Sequence, residues 1–290
     1  MVATALGWSG SDVGVAEVER RLADLRDAAE EGGMIRASVL THLAWVPPEW
    51  EQQALDTLAG LGERHPSRTI VMLPQPDAGE DGIDAELELR AFPLPDSDRS
   101  VCTEVIELRL RGDRCAAPAS IAAPLLVADL PVFLRWRGLP PFGEEPLEQL
   151  VDLVDRLIVD STEWPDLPAP YAELARIFDR VAVSDIAWAR TSRWRRQLAT
   201  LWPGIAEVSR LRVEGTEAQA HLLAGWLRSR LERSVELEHV PADRLVGVDL
   251  DGEPAPFPPG DPPAASDVLS DELERFGRDP VYEAAVTAAV

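Results

Sequence analysis

The chain contains no lysine and no asparagine, so all 28 of its basic side chains are arginine. That absence removes the P-loop lysine, a Schiff-base lysine and a catalytic lysine from consideration. Histidine is scarce too: His42, His65, His221 and His239 are scattered, and none is spaced as His-x-x-x-His. Each reads as a structural or surface histidine. The two cysteines, Cys102 and Cys115, form neither a Cys-x-x-Cys pair nor a metal-ligand spacing, so we expect free thiols and no metal. No glycine-rich phosphate loop follows an apolar run, and no Gly-x-Ser-x-Gly elbow is present. Neither a cofactor nor a catalytic constellation is expected.

Long apolar runs are also missing. The most apolar stretch, Ser120–Gly138, is cut by Pro124 and Pro131 and falls short of the ~20 residues that span a bilayer. Met1–Gly7 lacks a basic n-region and an apolar h-region, so a cytoplasmic location is the expectation. Positive charge is outnumbered, with 51 acidic residues giving a formal net charge of −23. Such a charge repels phosphodiester backbones and anionic lipid surfaces, so we expect neither nucleic acid nor membrane as a partner.

What is present is an ordinary globular chain, 46% apolar and 27% charged. Apolar residues at Val15, Val18, Leu22, Leu25 and Ala29 are three and four apart, which predicts a helix over 12–31. A strand over 34–46, a helix over 49–64 and the apolar strand 69–73 follow as a βαβ pattern. Two alternating strands, 83–92 and 101–111, come next. The central stretch reads as the end of a buried helix over 116–127 and a strand from Pro131 to Trp136. A helix over 144–154 and a strand over 156–160 complete a second such unit. From Pro168 we expect helices over 171–181 and 186–202, a strand over 207–213, a helix over 216–233, two strands over 235–240 and 244–250, and two closing helices. The fold class is therefore α/β: a mixed sheet with flanking helices and two βαβ-like units, plus a smaller C-terminal α/β region. We expect domains at 1–165 and 166–290, the second entered through a helical region at 168–202.

Two places stand out against the acidic background. Arg190, Arg193, Arg195 and Arg196 surround Trp194, and Arg135 and Arg137 bracket Trp136. Arginine and tryptophan are enriched at interface hot spots, and arginine suits phosphate or carboxylate recognition. These eight residues are the candidate partner-binding set, with core packing of the tryptophans and local ion pairing of the arginines as the alternative. Asp160 and Ser161 end an apolar strand, where ligands of open α/β sheets collect; capping of the following turn is the alternative.

The order of six segments resembles a known family. They are Arg36-Ala-Ser-Val-Leu40, His65-Pro-Ser-Arg68, Cys102-Thr-Glu104, Leu125-Leu-Val-Ala-Asp-Leu-Pro-Val-Phe-Leu134, Asp155-Arg-Leu-Ile-Val-Asp-Ser161, and Asp185-Ile-Ala-Trp-Ala-Arg190 with Trp194-Arg195. Together they are similar to the OpcA family of glucose-6-phosphate dehydrogenase assembly proteins. Ala128 and Arg135 depart from the family pattern, which has proline and an aromatic there. The resemblance implies a non-catalytic protein that binds glucose-6-phosphate dehydrogenase and promotes its assembly or activity, as an allosteric activator in the pentose phosphate pathway and its NADPH supply. The residues by themselves leave a second reading open, a sugar-phosphate enzyme or sensor in which Arg190, Arg193 and Arg195 grip the phosphate near Asp160.

Overall fold

A computed structural model describes residues 3–36, 38–59, 67–93, 100–261 and 263–290. It is α/β, with a large mixed sheet flanked by helices and a smaller second sheet. The chain divides into two compact units, residues 1–157 and 158–290.

The first unit contains β1 (Ala3–Gly10), α1 (Val15–Glu31), β2 (Met34–Arg36), β3 (Thr41–Trp45), α2 (Glu51–Ala59), β4 (Arg68–Gln75), β5 (Gly82–Pro93), β6 (Ser100–Arg111), α3 (Pro118–Ala122), β7 (Val132–Trp136) and α4 (Glu145–Val151). Its strands lie in the order β1-β5-β6-β4-β3-β7, with β2 added to β6. The β1-β5-β6 side is antiparallel, and β6-β4-β3-β7 is parallel. β3 and β7 are buried along their whole length and β4 along nearly all of it, as strands covered on both faces must be. That explains why Thr69–Leu73 carries no polar alternation.

Several expectations need correction. No strand is predicted at 3–10, because this run holds two glycines and little alternation. It forms nonetheless on the edge of β5, with Trp8 opposite Leu87, so the neighbouring strand supplies what local propensity lacks. The single strand expected over 34–46 is two strands, since β2 pairs with β6 while β3 runs between β4 and β7. The helix expected from Ala116 is shorter, a five-residue α3 followed by a 3₁₀ turn at Ala123–Leu125 that includes Pro124. The helix over 49–64 is α2 within the described residues; 60–66, with His65 and Pro66, lie outside them.

β8 (Arg156–Val159) contains the division between the units. The second unit continues with α5 (Ala169–Ala175), β9 (Ala182–Asp185), α6 (Ile186–Arg190), α7 (Ser192–Ala199), β10 (Arg210–Gly215), α8 (Glu217–Leu231), β11 (Glu236–Pro241), β12 (Gly247–Leu250), β13 (Glu253–Pro254), α9 (Ala265–Leu273) and α10 (Pro280–Ala289). β9 lies beside β8 and is a strand where only a joint was expected between the helices over 171–181 and 186–202. The continuous helix expected over 186–202 breaks at Thr191. Its hydroxyl donates to the Trp188 carbonyl at 2.8 Å, competing with the backbone ladder, and α7 starts afresh. The small sheet runs β11-β10-β12-β13. β10, α8 and β11 form a parallel βαβ unit, and Thr216 and Gln219 close a reciprocal capping box at the start of α8. Gly225 on α8 lets α10 approach closely: a Cβ there would lie 2.1 Å from the Ala285 carbonyl oxygen.

Candidate functional site

The strand ends at β8 and β9 carry a buried polar cluster. Asp185 leaves β9 and caps α6, its Oδ1 accepting the Ala187 amide at 2.8 Å and the Ser161 amide at 3.1 Å. Its Oδ2 accepts the Ser161 hydroxyl at 2.6 Å and the Tyr282 hydroxyl at 3.4 Å. Tyr171 in turn donates to Ser161 Oγ at 2.9 Å. Burial pushes the Asp185 carboxyl up to about 7, the negative charge of Asp160 adds to the rise, and the hydrogen bonds from Ser161 and Ala187 only partly offset it. Ser161 therefore lies in the interior as a relay between Asp185 and Tyr171. Asp160 caps the 3₁₀ turn at Ser161–Glu163 by accepting from the amide and hydroxyl of Thr162, and its other oxygen accepts from Arg190 at 3.0 Å.

The four arginines around Trp194 do not form one patch. Arg190 is turned to Asp160. Arg193 donates to the carbonyls of Pro258, Pro259 and Gly260, and so ties α7 to the proline-rich loop. Arg195 lies 3.3 Å above the Trp188 ring and donates to Thr191 Oγ1 and the Trp188 carbonyl. Burial lowers its pKa to about 10. Only Arg196 is exposed, with a weak bond to the Ser192 carbonyl of its own helix. Trp194 is buried and meets Phe257 edge to face, 5.3 Å between ring centroids.

In the first unit, Arg135, Trp136 and Arg137 are all buried. Trp136 stacks on Trp45 at 5.1 Å, which β3–β7 pairing places directly opposite it. Arg135 donates to the Trp136 carbonyl, while Arg137 donates to Gln53 and lies 4.6 Å over the Trp50 ring. In this arrangement none of the three presents a surface.

What pattern reasoning missed is mostly exposure. Trp202, Phe257 and Phe276 are each about two-thirds exposed, at 66%, 65% and 67%. Trp202 comes three residues after the end of α7, and its Trp-Pro-Gly setting is a turn signal that could have marked it as surface. A cleft lined by Arg190, His239 and Arg244 was also not foreseen, because those residues are far apart in the chain. Among the described residues no group of three or more His, Cys, Asp or Glu is placed to hold a metal, and no helix is long and apolar enough to cross a membrane.

Five of the six segments quoted above are joined to one another by side-chain hydrogen bonds. Arg68 Nε and Arg26 Nε grip the two oxygens of Glu104 at 2.6 and 2.5 Å, and Arg68 Nη1 reaches the Leu125 carbonyl at 2.6 Å. The Val132 amide donates to Asp155 at 2.8 Å. In the second unit Ser161 meets Asp185, and Asp160 meets Arg190. The sequence also matches known proteins. A family model described as the glucose-6-phosphate dehydrogenase subunit N-terminal domain matches residues 59–178, and its counterpart for the C-terminal domain matches residues 181–256. The chain belongs to the OpcA family. Curated relatives bearing the name OxPP cycle protein OpcA include one from Synechocystis, 23% identical over 79% of this chain and 50% of the relative. One from Nostoc punctiforme is 28% identical over 58% of this chain and 38% of the relative. One from Synechococcus elongatus is 25% identical over 70% of this chain and 50% of the relative. The chain thus spans half the length, or less, of these OpcA relatives.

Proposed function

We propose that this chain is a non-catalytic regulatory subunit that binds glucose-6-phosphate dehydrogenase and promotes its oligomeric assembly or activity. It would act in the cytoplasm, in the oxidative pentose phosphate pathway and its NADPH supply. The observation that carries the reading is the match, in chain order, of both the N-terminal and C-terminal domain models described as parts of a glucose-6-phosphate dehydrogenase subunit. The names of the relatives point the same way. A binding protein of this kind needs no chemistry of its own. If it binds one conformational or oligomeric state of the enzyme more tightly, it shifts the population toward that state by the difference in affinity.

Of the arginine and tryptophan residues proposed for the contact, Arg196 is the exposed member, and we add Trp202, which is exposed six positions further along the chain. Arg193, Trp194 and Arg195 lie on the same helix as Arg196 and are engaged by the proline-rich loop, Phe257 and Trp188. Exposed tryptophan and arginine are the residue types most enriched at interface hot spots. The test is direct. Glucose-6-phosphate dehydrogenase is run on size exclusion with and without this protein, and its KM and kcat are measured in both cases. Co-elution with a changed oligomer distribution or changed kinetics is expected. Separate elution and unchanged kinetics would defeat the reading.

A further inference from the structure

The small sheet carries an open cleft of about 810 Å³ at the carboxyl ends of its two parallel strands, where β10 ends at Gly215 and β11 at Pro241. That size suits a small-molecule site. Carboxyl ends of parallel strands are also where α/β sheets place their ligands. Its wall is polar. Arg190, Arg244 and His239 supply positive or donor groups, and Glu217, Asp243 and Thr162 supply acceptors.

The two arginines are in different states of preparation. Arg190 spends one of its five N–H donors on Asp160, at 3.0 Å. Asp160 is itself fixed by Thr162, so the guanidinium is oriented while most of its donors stay unused. Arg244 is exposed, and its side chain makes no ion pair or hydrogen bond among the described residues. His239 Nε2 lies 2.8 Å from the Gly215 carbonyl, which can only accept, so Nε2 donates and Nδ1 is left as an acceptor in the neutral ring. The start of α8 adds little, because Thr216 and Gln219 already close it.

Two guanidinium groups in a chain of net charge −23 favour a dianion, and the carboxylates beside them would repel a bare one unless it also brought donors. A molecule with a phosphate at one end and hydroxyls at the other meets both demands: arginine for the phosphate, Glu217, Asp243 and the imidazole for the hydroxyls. We propose that this cleft binds a small phosphorylated polyol, a ligand of the sugar-phosphate class. The inference goes beyond binding to the dehydrogenase and does not depend on it. It also relocates the phosphate grip. Arg193 and Arg195 are committed to the proline-rich loop and to Trp188, and Arg244 takes their place.

The experiment uses the full chain alone, with no dehydrogenase present, so its failure is separate from failure of the partner reading. Titration calorimetry is run with glucose 6-phosphate, ribose 5-phosphate and glycerol 3-phosphate, and with inorganic phosphate and glucose as controls. At least one phosphorylated probe should bind saturably and more tightly than either control. Arg244→Met should weaken it about tenfold or more, as loss of a charge-assisted hydrogen bond does, without changing the melting temperature. The pair Asp160→Asn with Arg190→Gln, which leaves no lone buried charge, should weaken it similarly. Absence of binding by every phosphorylated probe overturns the proposal. Inorganic phosphate or glucose binding as tightly as the best probe, or affinity indifferent to Arg244→Met, overturns it equally.

Discussion

Glu104 is fully buried between Arg68, which is also buried, and Arg26, which is partly exposed. Burial alone would raise its pKa, but the hydrogen bond from Arg26 and the charge of Arg68 more than offset this and hold it below the ordinary carboxylate range. Its contribution is therefore present above that range and is lost as the pH falls through the depressed folded value. Glu104→Gln removes the buried negative charge that Arg68 and Arg26 both grip and should cost about 3–5 kcal/mol, read as a lower urea midpoint at neutral pH. Asp185 has the opposite sign. Its folded pKa is raised to about 7, so the folded state holds a proton that the unfolded chain has released. Its contribution is full below the unfolded carboxylate value and disappears as the pH rises toward about 7. Asp185→Asn keeps an acceptor for the amides of Ser161 and Ala187 but cannot ionise. The variant should lose that part of the decline in stability between about pH 4 and pH 7; an unchanged pH profile would count against the burial argument. Both residues stand in family segments, and in both cases the reason is visible only once their partners are brought beside them. The sequence offered Glu104 and Asp185 as members of a pattern, with no hint of which arginine or hydroxyl each would meet.

At the scale of elements, α8 and α10 make the tightest helix contact whose cause can be named. A Cβ at position 225 would come within 2.1 Å of the Ala285 oxygen and 2.9 Å of the Ala289 amide nitrogen. Both are backbone atoms and cannot turn aside. Gly225→Ala gains helix propensity of about 1 kcal/mol yet should still destabilise the protein, because separating two packed helices costs about 1–3 kcal/mol or more. Chemical denaturation of the variant gives the sign. Periodic segments were legible without coordinates: α1, β5, β6, α4, α8 and the closing helices fall within a few residues of their expected places. The misses share a cause. β1 and β9 are short runs that become strands because a neighbour offers a ladder, and Thr191 splits a helical pattern through a hydroxyl that periodicity does not weigh. Arg135, Trp136 and Arg137 suggested a surface by composition, yet β7 lies inside the large sheet, and burial follows from strand order rather than residue type.

For the whole molecule, the net charge of −23 leaves acidic groups in excess, and the proposed contact rests on two exposed residues, Arg196 and Trp202, six positions apart in the chain. Arg196→Glu combined with Trp202→Ala should abolish co-elution with glucose-6-phosphate dehydrogenase while changing stability by no more than about 0.5 kcal/mol, as surface changes do. Retained co-elution would move the contact elsewhere on the chain. Arg195, by contrast, is stacked and partly buried, so its removal would be felt as lost packing and could not report on binding.

The sequence by itself determined the α/β class, the family, the absence of lysine chemistry and the excess of negative charge, because these depend on composition, on local periodicity and on the order of short segments. Only the tertiary structure decided which arginines are free. Whether a guanidinium is stacked on a ring, spent on a loop carbonyl or left open in a cleft depends on residues tens of positions away. Arg193 on the 258–260 loop, Arg68 on Glu104 and the joint lining of one cleft by Arg190 and Arg244 are all of that kind.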